Sequence, residues 1–227
     1  MKAIFLDRDG VINKDPGGWT KYSYVTDWKD FHFLPGAIEA LALLARHRID
    51  VIIISNQAGV GKGNFTGEEL AGLTRRMCEE IGKKGGRIKD VFYCVHRKEE
   101  NCACRKPKTG LLEKAAYRYS IDLRNTYFIG DSVVDVQAGK ESGCSTVFVQ
   151  SGKMTTDDLK KERVKPDYVF KDLLGAVKWI LEKEKRRSDR AFNRKKRKER
   201  ADEEDTDSLR DGGDRPQEGS AGGQEGA

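Results

Sequence analysis

The chain has 227 residues, a formal charge of +6 and 37% hydrophobic residues, enough for one good-sized domain plus extra segments. Residues 183–200 carry eleven Lys and Arg against three Asp and Glu, and residues 201–227 carry nine acidic residues against two Arg. Because the remainder is only mildly basic, the pI of about 9.0 is no evidence for a nucleic-acid-binding core. The sequence also lacks the ~20-residue apolar stretch of a membrane span and the pattern of a signal peptide.

The first predicted element is a buried strand that ends in two carboxylates. Residues 3–6 are apolar or Ala and run directly into Asp7, Arg8, Asp9 and Gly10. While the chain stays extended, Asp7 and Asp9 face one way and Arg8 faces the other. Like charges about 4 Å apart repel by about 4 kcal/mol at an effective dielectric of 20. A divalent cation or a shared proton would relieve that repulsion, although an ordinary turn with solvated aspartates gives the same pattern.

Alternating strand and helix patterns follow an irregular, Gly-rich loop over residues 11–29, which is long enough to act as a flap over the aspartates. The later strands are predicted at residues 51–54, 88–94, 126–129, 146–149 and 168–170, and the helices at 35–48, 66–81, 111–119, 133–142 and 173–181. This alternation predicts an α/β fold with a doubly wound parallel sheet. The change to charge runs predicts a domain over residues 1–182 and a disordered tail over residues 183–227.

Polar and charged side chains follow three of the predicted strands. Ser55 comes after the second strand, Asp131 and Asp135 come after the fourth, and Arg105 and Lys106 lie between the third and fourth. In a doubly wound sheet these strand ends line one edge and converge with the first aspartates. Such a set supplies the nucleophile, the proton donor, the cation ligands and the phosphate-binding groups that phosphoryl transfer from a monoester needs.

Four motifs resemble, in order, those of the haloacid dehalogenase superfamily: Asp7-Arg8-Asp9-Gly10, Ser55-Asn56-Gln57, Arg105-Lys106-Pro107 and Gly130-Asp131-Ser132-Val133-Val134-Asp135. The resemblance implies a phosphatase in which Asp7 forms an aspartyl-phosphate and Asp9 acts as general acid and then as base for water. It implies that Ser55 and Lys106 hold the phosphoryl group, with Asn56 and Gln57 beside the substrate. Mg²⁺ would bind Asp7, the Asp9 backbone carbonyl and Asp131, with Asp135 farther from the ion.

A second metal site is predicted from soft ligands that lie within eleven residues: Cys94, His96, Cys102 and Cys104. Three thiolates and one imidazole form a closed tetrahedral Zn²⁺ set of the structural kind. Zinc here would fix the loop that carries Arg105 and Lys106. Cysteines used for metal rather than for disulfides favour a reducing cytoplasm.

This cysteine–histidine arrangement resembles the branch of the superfamily that contains heptose-bisphosphate and histidinol-phosphate phosphatases, which lack a large cap domain. The resemblance implies that groups from Asp15 to Gly18 meet sugar hydroxyls and that Arg105 meets a second phosphate or the hydroxyls. A heptose bisphosphate cleaved at its primary C7 phosphate is the predicted substrate. Histidinol phosphate is the alternative, and the five-residue spacer between His96 and Cys102 does not decide between them.

Two other functions depend on the basic segment. The protein could be a nucleic-acid end phosphatase recruited by its tail, or a tail-driven nucleic-acid or acidic-partner binding protein. The run at residues 194–198 resembles a nucleic-acid-binding sequence, but the acidic residues beside it favour a solvated, partly self-neutralised segment. We therefore expect a cytoplasmic monomer whose domain binds neither nucleic acid nor membrane.

Overall fold

The computed structural model describes residues 1–18, 20 and 23–210, with residues 197–210 described by their backbone alone. The chain divides into two units, Met1–Leu181 and Glu182–Ala227. The first unit contains six strands: β1 (Ala3–Leu6), β2 (Asp50–Asn56), β3 (Asp90–Cys94), β4 (Tyr127–Gly130), β5 (Ser145–Val149) and β6 (Tyr168–Phe170).

The strands form one sheet in the order β3-β2-β1-β4-β5-β6, and every neighbouring pair is parallel. The chain builds outward from β1 to β3 on one side and then returns to β4 on the other side of β1. This reversal opens a crevice beyond the carboxyl ends of β1 and β4, where open α/β sheets bind ligands. The predicted doubly wound parallel sheet is confirmed.

Among the described residues, α-helices that connect or follow the strands are α1 (Ala37–Arg46), α2 (Gly67–Lys83), α3 (Gly110–Tyr119), α4 (Val133–Ser142), α5 (Thr156–Lys161) and α6 (Leu173–Arg210). The predicted capping box of α2 is present, since Thr66 and Glu69 exchange side-chain-to-backbone hydrogen bonds. Helix α5 was not predicted, because it has only six residues and one buried side chain, Leu159.

The sheet is covered on both faces, which explains why β1 is apolar at every position. Ile4 and Leu6 pack in a cluster with side chains from α1, α2 and α6. Phe5, which points the other way, packs with side chains from α3 and α4. Along the described part of residues 1–181, only helices and loops join the strands, as expected for a chain without a large cap.

Helix α6 is much longer than the predicted helix over residues 173–181. It continues to Arg210, and the Lys, Arg and Glu residues that follow residue 182 are good helix formers. The disorder predicted for residues 183–227 stays a prediction, and residues 211–227 lie outside the described residues. Within the described chain, none of the helices combines the length and apolar character needed to cross a bilayer.

Candidate active site

Asp7 lies where β1 ends. Its amide donates to the carbonyl of Ile129 in β4 at 2.9 Å, which places it at the crevice between the two central strands. One carboxylate oxygen accepts from the amide of Arg8 at 2.7 Å, and the other lies 3.0 Å from Lys106 Nζ. Burial raises the pKa of Asp7 to about 6. The Lys106 ammonium lowers this pKa and the Asp135 carboxylate raises it, but burial is the largest of the three effects.

Lys106 is a buried cation that joins two carboxylates. Its side chain lies 3.0 Å from Asp7 and 2.6 Å from Asp135, and it donates to the carbonyl of Ile54 at 2.8 Å. Burial opposes its charge, but the carboxylates of Asp135 and Asp7 raise the pKa of Lys106 above its usual value. The side chain of Asn56 fixes the backbone of Lys106 by two hydrogen bonds of 3.1 Å.

Asp131 and Asp135 come from the end of β4 and the first turn of α4. Asp135 accepts from the amide and hydroxyl of Ser132, which forms the capping box of α4. The carboxylates of Asp7, Asp131 and Asp135 lie within 4.8 Å of one another. Burial raises the pKa of Asp131 well above its usual value, and the charges of Asp135 and Asp7 raise it further. The group thus contains three carboxylates and one ammonium, which pairs with only two of them, and this excess of negative charge suits a hard divalent cation.

The loops after β1 and β5 pack directly against Asp131. A Cβ on Gly152 would lie 1.7 Å from Asp131 Oδ2, and one on Gly10 would lie 2.3 Å from the same atom. Gly10 also has a φ of +80°, which a side chain would strain. The hydroxyl of Ser151 donates to the carbonyl of Gly10 at 2.7 Å, so the two loops are joined at this point.

Asp9 is held by three side chains. Arg8 Nη2 donates to both carboxylate oxygens at 3.0 Å, Asn13 donates at 2.8 Å and Gln57 donates at 2.7 Å. Arg8 is 1% exposed. The alternation expected of an extended chain does not reach Arg8, because β1 ends at Leu6, and the Arg8 side chain therefore contacts Asp9.

A cleft of about 530 Å³ opens over these strand ends. Most of the predicted site residues line it: Asp7, Asp9, Asp15, Ser55, Asn56, Lys106 and Asp131. Gln57 does not, because it is fully buried and contacts Asp9 and Ser55. Gly18 lies outside the lining. Arg105 lines an adjoining cavity of about 410 Å³, and its guanidinium donates to the carbonyl of His96 at 3.5 Å.

Two lysines in the lining were missed by the sequence analysis. Lys62 comes from the loop after β2, and Lys153 comes from the loop after β5. Ligands of open α/β sheets bind beyond the carboxyl ends of the strands, which is why Ser55 and Asp131 were selected, and the loop after β5 lies at the same edge. The sequence does not distinguish a cleft lysine in such a loop from other lysines, because a loop lysine is usually a solvated surface residue.

The predicted zinc ligands lie together. The sulfur atoms of Cys94, Cys102 and Cys104 are 3.3–3.6 Å apart, and His96 Nδ1 lies 3.2 Å from Cys104 and 3.8 Å from Cys94. These separations are too long for a disulfide, whose sulfurs are about 2.05 Å apart. They are close to the edges of a tetrahedron with Zn–S bonds of about 2.3 Å, so the four side chains fit a zinc ion.

Comparisons with known proteins agree with this geometry. The HAD-hydrolase-like family model matches residues 103–176. The D-glycero-beta-D-manno-heptose-1,7-bisphosphate 7-phosphatase of Pasteurella multocida is 36% identical over 186 residues, which cover 79% of this chain and 96% of that protein. The enzyme of the same name from Vibrio cholerae is 37% identical over 163 residues, covering 68% of this chain and 84% of that protein.

Solved structures show the same likeness. The D,D-heptose 1,7-bisphosphate phosphatase from B. bronchiseptica, complexed with magnesium and phosphate, has a TM-score of 0.74 and 32% identity and covers 81% of this chain and 99% of that chain. The corresponding enzyme from Burkholderia thailandensis has a TM-score of 0.60 at 28% identity, over 80% of this chain and 99% of that chain. The chain therefore belongs to the phosphatases of the haloacid dehalogenase superfamily, in the family of the heptose-1,7-bisphosphate 7-phosphatases.

Proposed function

We propose that the protein removes the C7 phosphate of D-glycero-D-manno-heptose 1,7-bisphosphate, with Asp7 as nucleophile and Mg²⁺ as cofactor. The observation that carries this proposal is the position of Asp7 in the cleft, with one carboxylate oxygen on Lys106 and a group of buried carboxylates beside it. The activity of the relatives, as their names give it, supports the choice of substrate.

In the first step, an oxygen of Asp7 attacks the phosphorus atom while the bond from phosphorus to the C7 oxygen breaks. Asp9 donates a proton to the departing oxygen. In the second step, Asp9 takes a proton from water, the water oxygen attacks the phosphorus, and Asp7 is released together with inorganic phosphate. Asn13 and Gln57 keep the Asp9 carboxylate in place in the free enzyme.

Repulsion between the Asp7 carboxylate and the phosphate dianion is the main obstacle to the first step. Lys106 offsets part of it, and Ser55 and Asn56 line the cleft where the phosphoryl oxygens would lie. Mg²⁺ would be held by Asp7, Asp131 and the backbone carbonyl of Asp9, and it would supply positive charge to the phosphoryl oxygens. The Asp131 carboxylate forms no hydrogen bond with any described residue, as expected of a metal ligand.

Residues from Asp15 to Gly18 and Arg105 remain candidates for contact with the sugar. Asp15 and Gly17 belong to the cleft lining, whereas Arg105 reaches the substrate only if the substrate extends toward the adjoining cavity. The two cavities share Asn56, Lys106 and Val134, so a substrate longer than one phosphate and a few carbons can extend toward both.

We propose that Zn²⁺ binds the four-residue cluster and has a structural role. The last ligand, Cys104, directly precedes Arg105 and Lys106 in the chain, so zinc would fix the backbone that delivers Lys106. Reduced cysteines at this cluster fit a cytoplasmic enzyme. We propose that the enzyme acts there as a monomer, without a membrane partner.

Cys104→Ser is expected to reduce bound zinc from one equivalent to well below one, and to lower kcat by about tenfold or more because the Lys106 backbone loses its anchor. Metal analysis and turnover measured on the same preparation test this. Cys78→Ser is the matched control, since Cys78 lies on α2 outside the cluster. Zinc content that stays at wild-type level in Cys104→Ser would contradict the assignment.

Phosphate release from a small panel tests the proposed function. The panel contains heptose 1,7-bisphosphate, fructose 1,6-bisphosphate, histidinol phosphate and a 3′-phosphorylated oligonucleotide, each with Mg²⁺ and with EDTA. We expect Mg²⁺-dependent turnover with the highest kcat/KM on the heptose. A preference for histidinol phosphate would keep the mechanism and replace the substrate. Turnover on the oligonucleotide that disappears when residues 183–227 are deleted would favour nucleic-acid end processing.

A further inference from the structure

Arg8 is a buried cation beside the catalytic carboxylates, and the proposed mechanism gives it no role. Its side chain is 1% exposed. Taking a charge out of water is costly, and a buried ion pair is often no more stabilising than well-packed apolar side chains. Stability alone therefore gives no reason for an arginine at this position.

The hydrogen-bond donors of Arg8 are directed to Asp9. Nε donates to Asp9 Oδ1 at 3.2 Å, and Nη2 donates to Oδ1 and Oδ2 at 3.0 Å each. Nη1 has no hydrogen-bond partner among the described residues. The hydrogen bonds of this guanidinium therefore act on one carboxylate.

Arg8 is itself fixed by the elements around it. Its carbonyl accepts from three amides of the turn that follows, at 2.8–3.3 Å. The guanidinium carbon lies 5.7 Å from the centre of the Tyr93 ring in β3, within the range of a cation–π contact. The Tyr93 hydroxyl in turn lies 2.9 Å from the hydroxyl of Thr74 in α2. The side chain that contacts Asp9 thus has a fixed position of its own.

Asp9 is the residue through which this contact reaches the reaction. Its side chain is 16% exposed and lines the cleft together with Asp7. Asn13 and Gln57 each donate one hydrogen bond to it, on different oxygens, whereas Arg8 contacts both oxygens at once. A planar guanidinium that contacts both oxygens fixes the plane of the carboxyl group. Proton delivery requires an oxygen of Asp9 within hydrogen-bond reach of the departing oxygen, so this plane matters for catalysis.

We propose that Arg8 is a positioning residue, which holds the Asp9 carboxyl group in the orientation from which Asp9 passes its proton to the departing oxygen. This inference rests on the proposed function, because the role of Asp9 as proton donor belongs to it. The proton moves from Asp9 to the C7 oxygen as the bond from phosphorus to that oxygen breaks, and the negative charge left on Asp9 lies against the guanidinium. Arg8 itself neither gains nor loses a proton.

The leaving group separates this role from a merely structural one. A primary alkoxide needs a proton to leave, whereas p-nitrophenolate is stable without one, so a misplaced proton donor slows the departure of the alkoxide far more. Because the leaving group departs before the aspartyl-phosphate is hydrolysed, kcat/KM reports only the steps up to that departure. The comparison is therefore between kcat/KM on heptose 1,7-bisphosphate and kcat/KM on p-nitrophenyl phosphate.

Arg8→Met is expected to lose about 10- to 100-fold in kcat/KM on the heptose bisphosphate, because hydrogen bonds to a charged group contribute a factor of this size. On p-nitrophenyl phosphate the loss should be less than about threefold. Arg75→Met, at an exposed position on α2, is the matched control. If histidinol phosphate is the better substrate, its primary alkoxide takes the place of the heptose in this comparison.

Asp9→Asn provides the reference for complete loss of the proton donor. It should show the same dependence on the leaving group, with a larger loss of about 100- to 10,000-fold on the heptose bisphosphate. Adding Arg8→Met to Asp9→Asn should leave the ratio of the two kcat/KM values unchanged, because Arg8 acts through Asp9.

Arg8→Lys keeps the charge but loses the planar pair of donors, so we expect the same dependence on the leaving group with a loss of about tenfold on the heptose bisphosphate. This variant decides the outcome if Arg8→Met does not fold. Equal losses on both substrates, no loss on either, additive losses in the double variant, or failure of both Arg8 variants to fold would overturn the inference.

Failure of the proposed function has a different signature. Asp9→Asn would then lose equally on both substrates, or the wild type would hydrolyse p-nitrophenyl phosphate but neither heptose bisphosphate nor histidinol phosphate. Either result would also overturn the inference about Arg8. A dependence on the leaving group that appears in Asp9→Asn but not in the Arg8 variants would overturn the inference alone.

Discussion

Asp7→Asn is expected to lower kcat by about 1000-fold or more. The amide has nearly the shape of the carboxylate but cannot attack phosphorus. It also carries no negative charge to pair with the Lys106 ammonium. An increase of about 4 kcal/mol in the free energy of activation corresponds to this factor. Steady-state turnover of the heptose bisphosphate in the presence of Mg²⁺ measures it.

The same variant should remain folded. Because burial raises the pKa of Asp7 from 3.8 to about 6, ionisation of this side chain costs folding free energy, which grows between these two pH values and is fully present above pH 6; this cost disappears with the amide. Lys106 loses one partner but keeps Asp135 and the Ile54 carbonyl. The melting temperature should therefore stay close to that of the wild type. More than a tenth of the wild-type kcat in Asp7→Asn would exclude Asp7 as the nucleophile.

Lys106→Met is expected to lower both activity and stability. It removes the ammonium that contacts Asp7 and Asp135 in a buried site, and breaking a buried ion pair costs about 3–5 kcal/mol of folding free energy. It also restores a repulsion of about 4 kcal/mol between Asp7 and the phosphate, so kcat should fall by about 1000-fold. Urea unfolding and turnover at saturating substrate provide the two measurements.

Mg²⁺ separates the two effects of this variant. The ion neutralises the buried carboxylates and should restore part of the lost stability, but it does not replace a hydrogen-bond donor at the transferred oxygens. Lys114→Met, an exposed position on α3, is the matched control and should behave as wild type. If Lys106→Met keeps wild-type kcat, the cation does not act on the reacting phosphate.

The parts of the fold and site that could be predicted depend on local sequence. β1 is apolar on both faces because helices cover the sheet on both sides, and that pattern is readable in four residues. Asp7 and Asp131 directly follow buried strands and Ser55 is the penultimate residue of another, and parallel strand ends meet at one edge. The zinc ligands were identifiable because all four lie within eleven residues.

The parts that could not be predicted depend on contacts between distant segments. Gln57 was expected to touch the substrate, but its side chain is fully buried and donates to Asp9, a residue 48 positions earlier in the chain. Lys153 belongs to the cleft because its loop packs on Asp131. Local sequence patterns do not encode such long-range packing. The ion pair between Lys106 and Asp135 was not predicted for the same reason.

Phosphorus NMR of heptose 1,7-bisphosphate during turnover tests the central claim most directly. The protein with Mg²⁺ should remove the resonance of the C7 phosphate, leave the C1 phosphate intact and release one equivalent of inorganic phosphate, and EDTA or Asp7→Asn should stop the reaction. Loss of the C1 phosphate first, or an unchanged spectrum under conditions in which histidinol phosphate is hydrolysed, would contradict the proposed substrate.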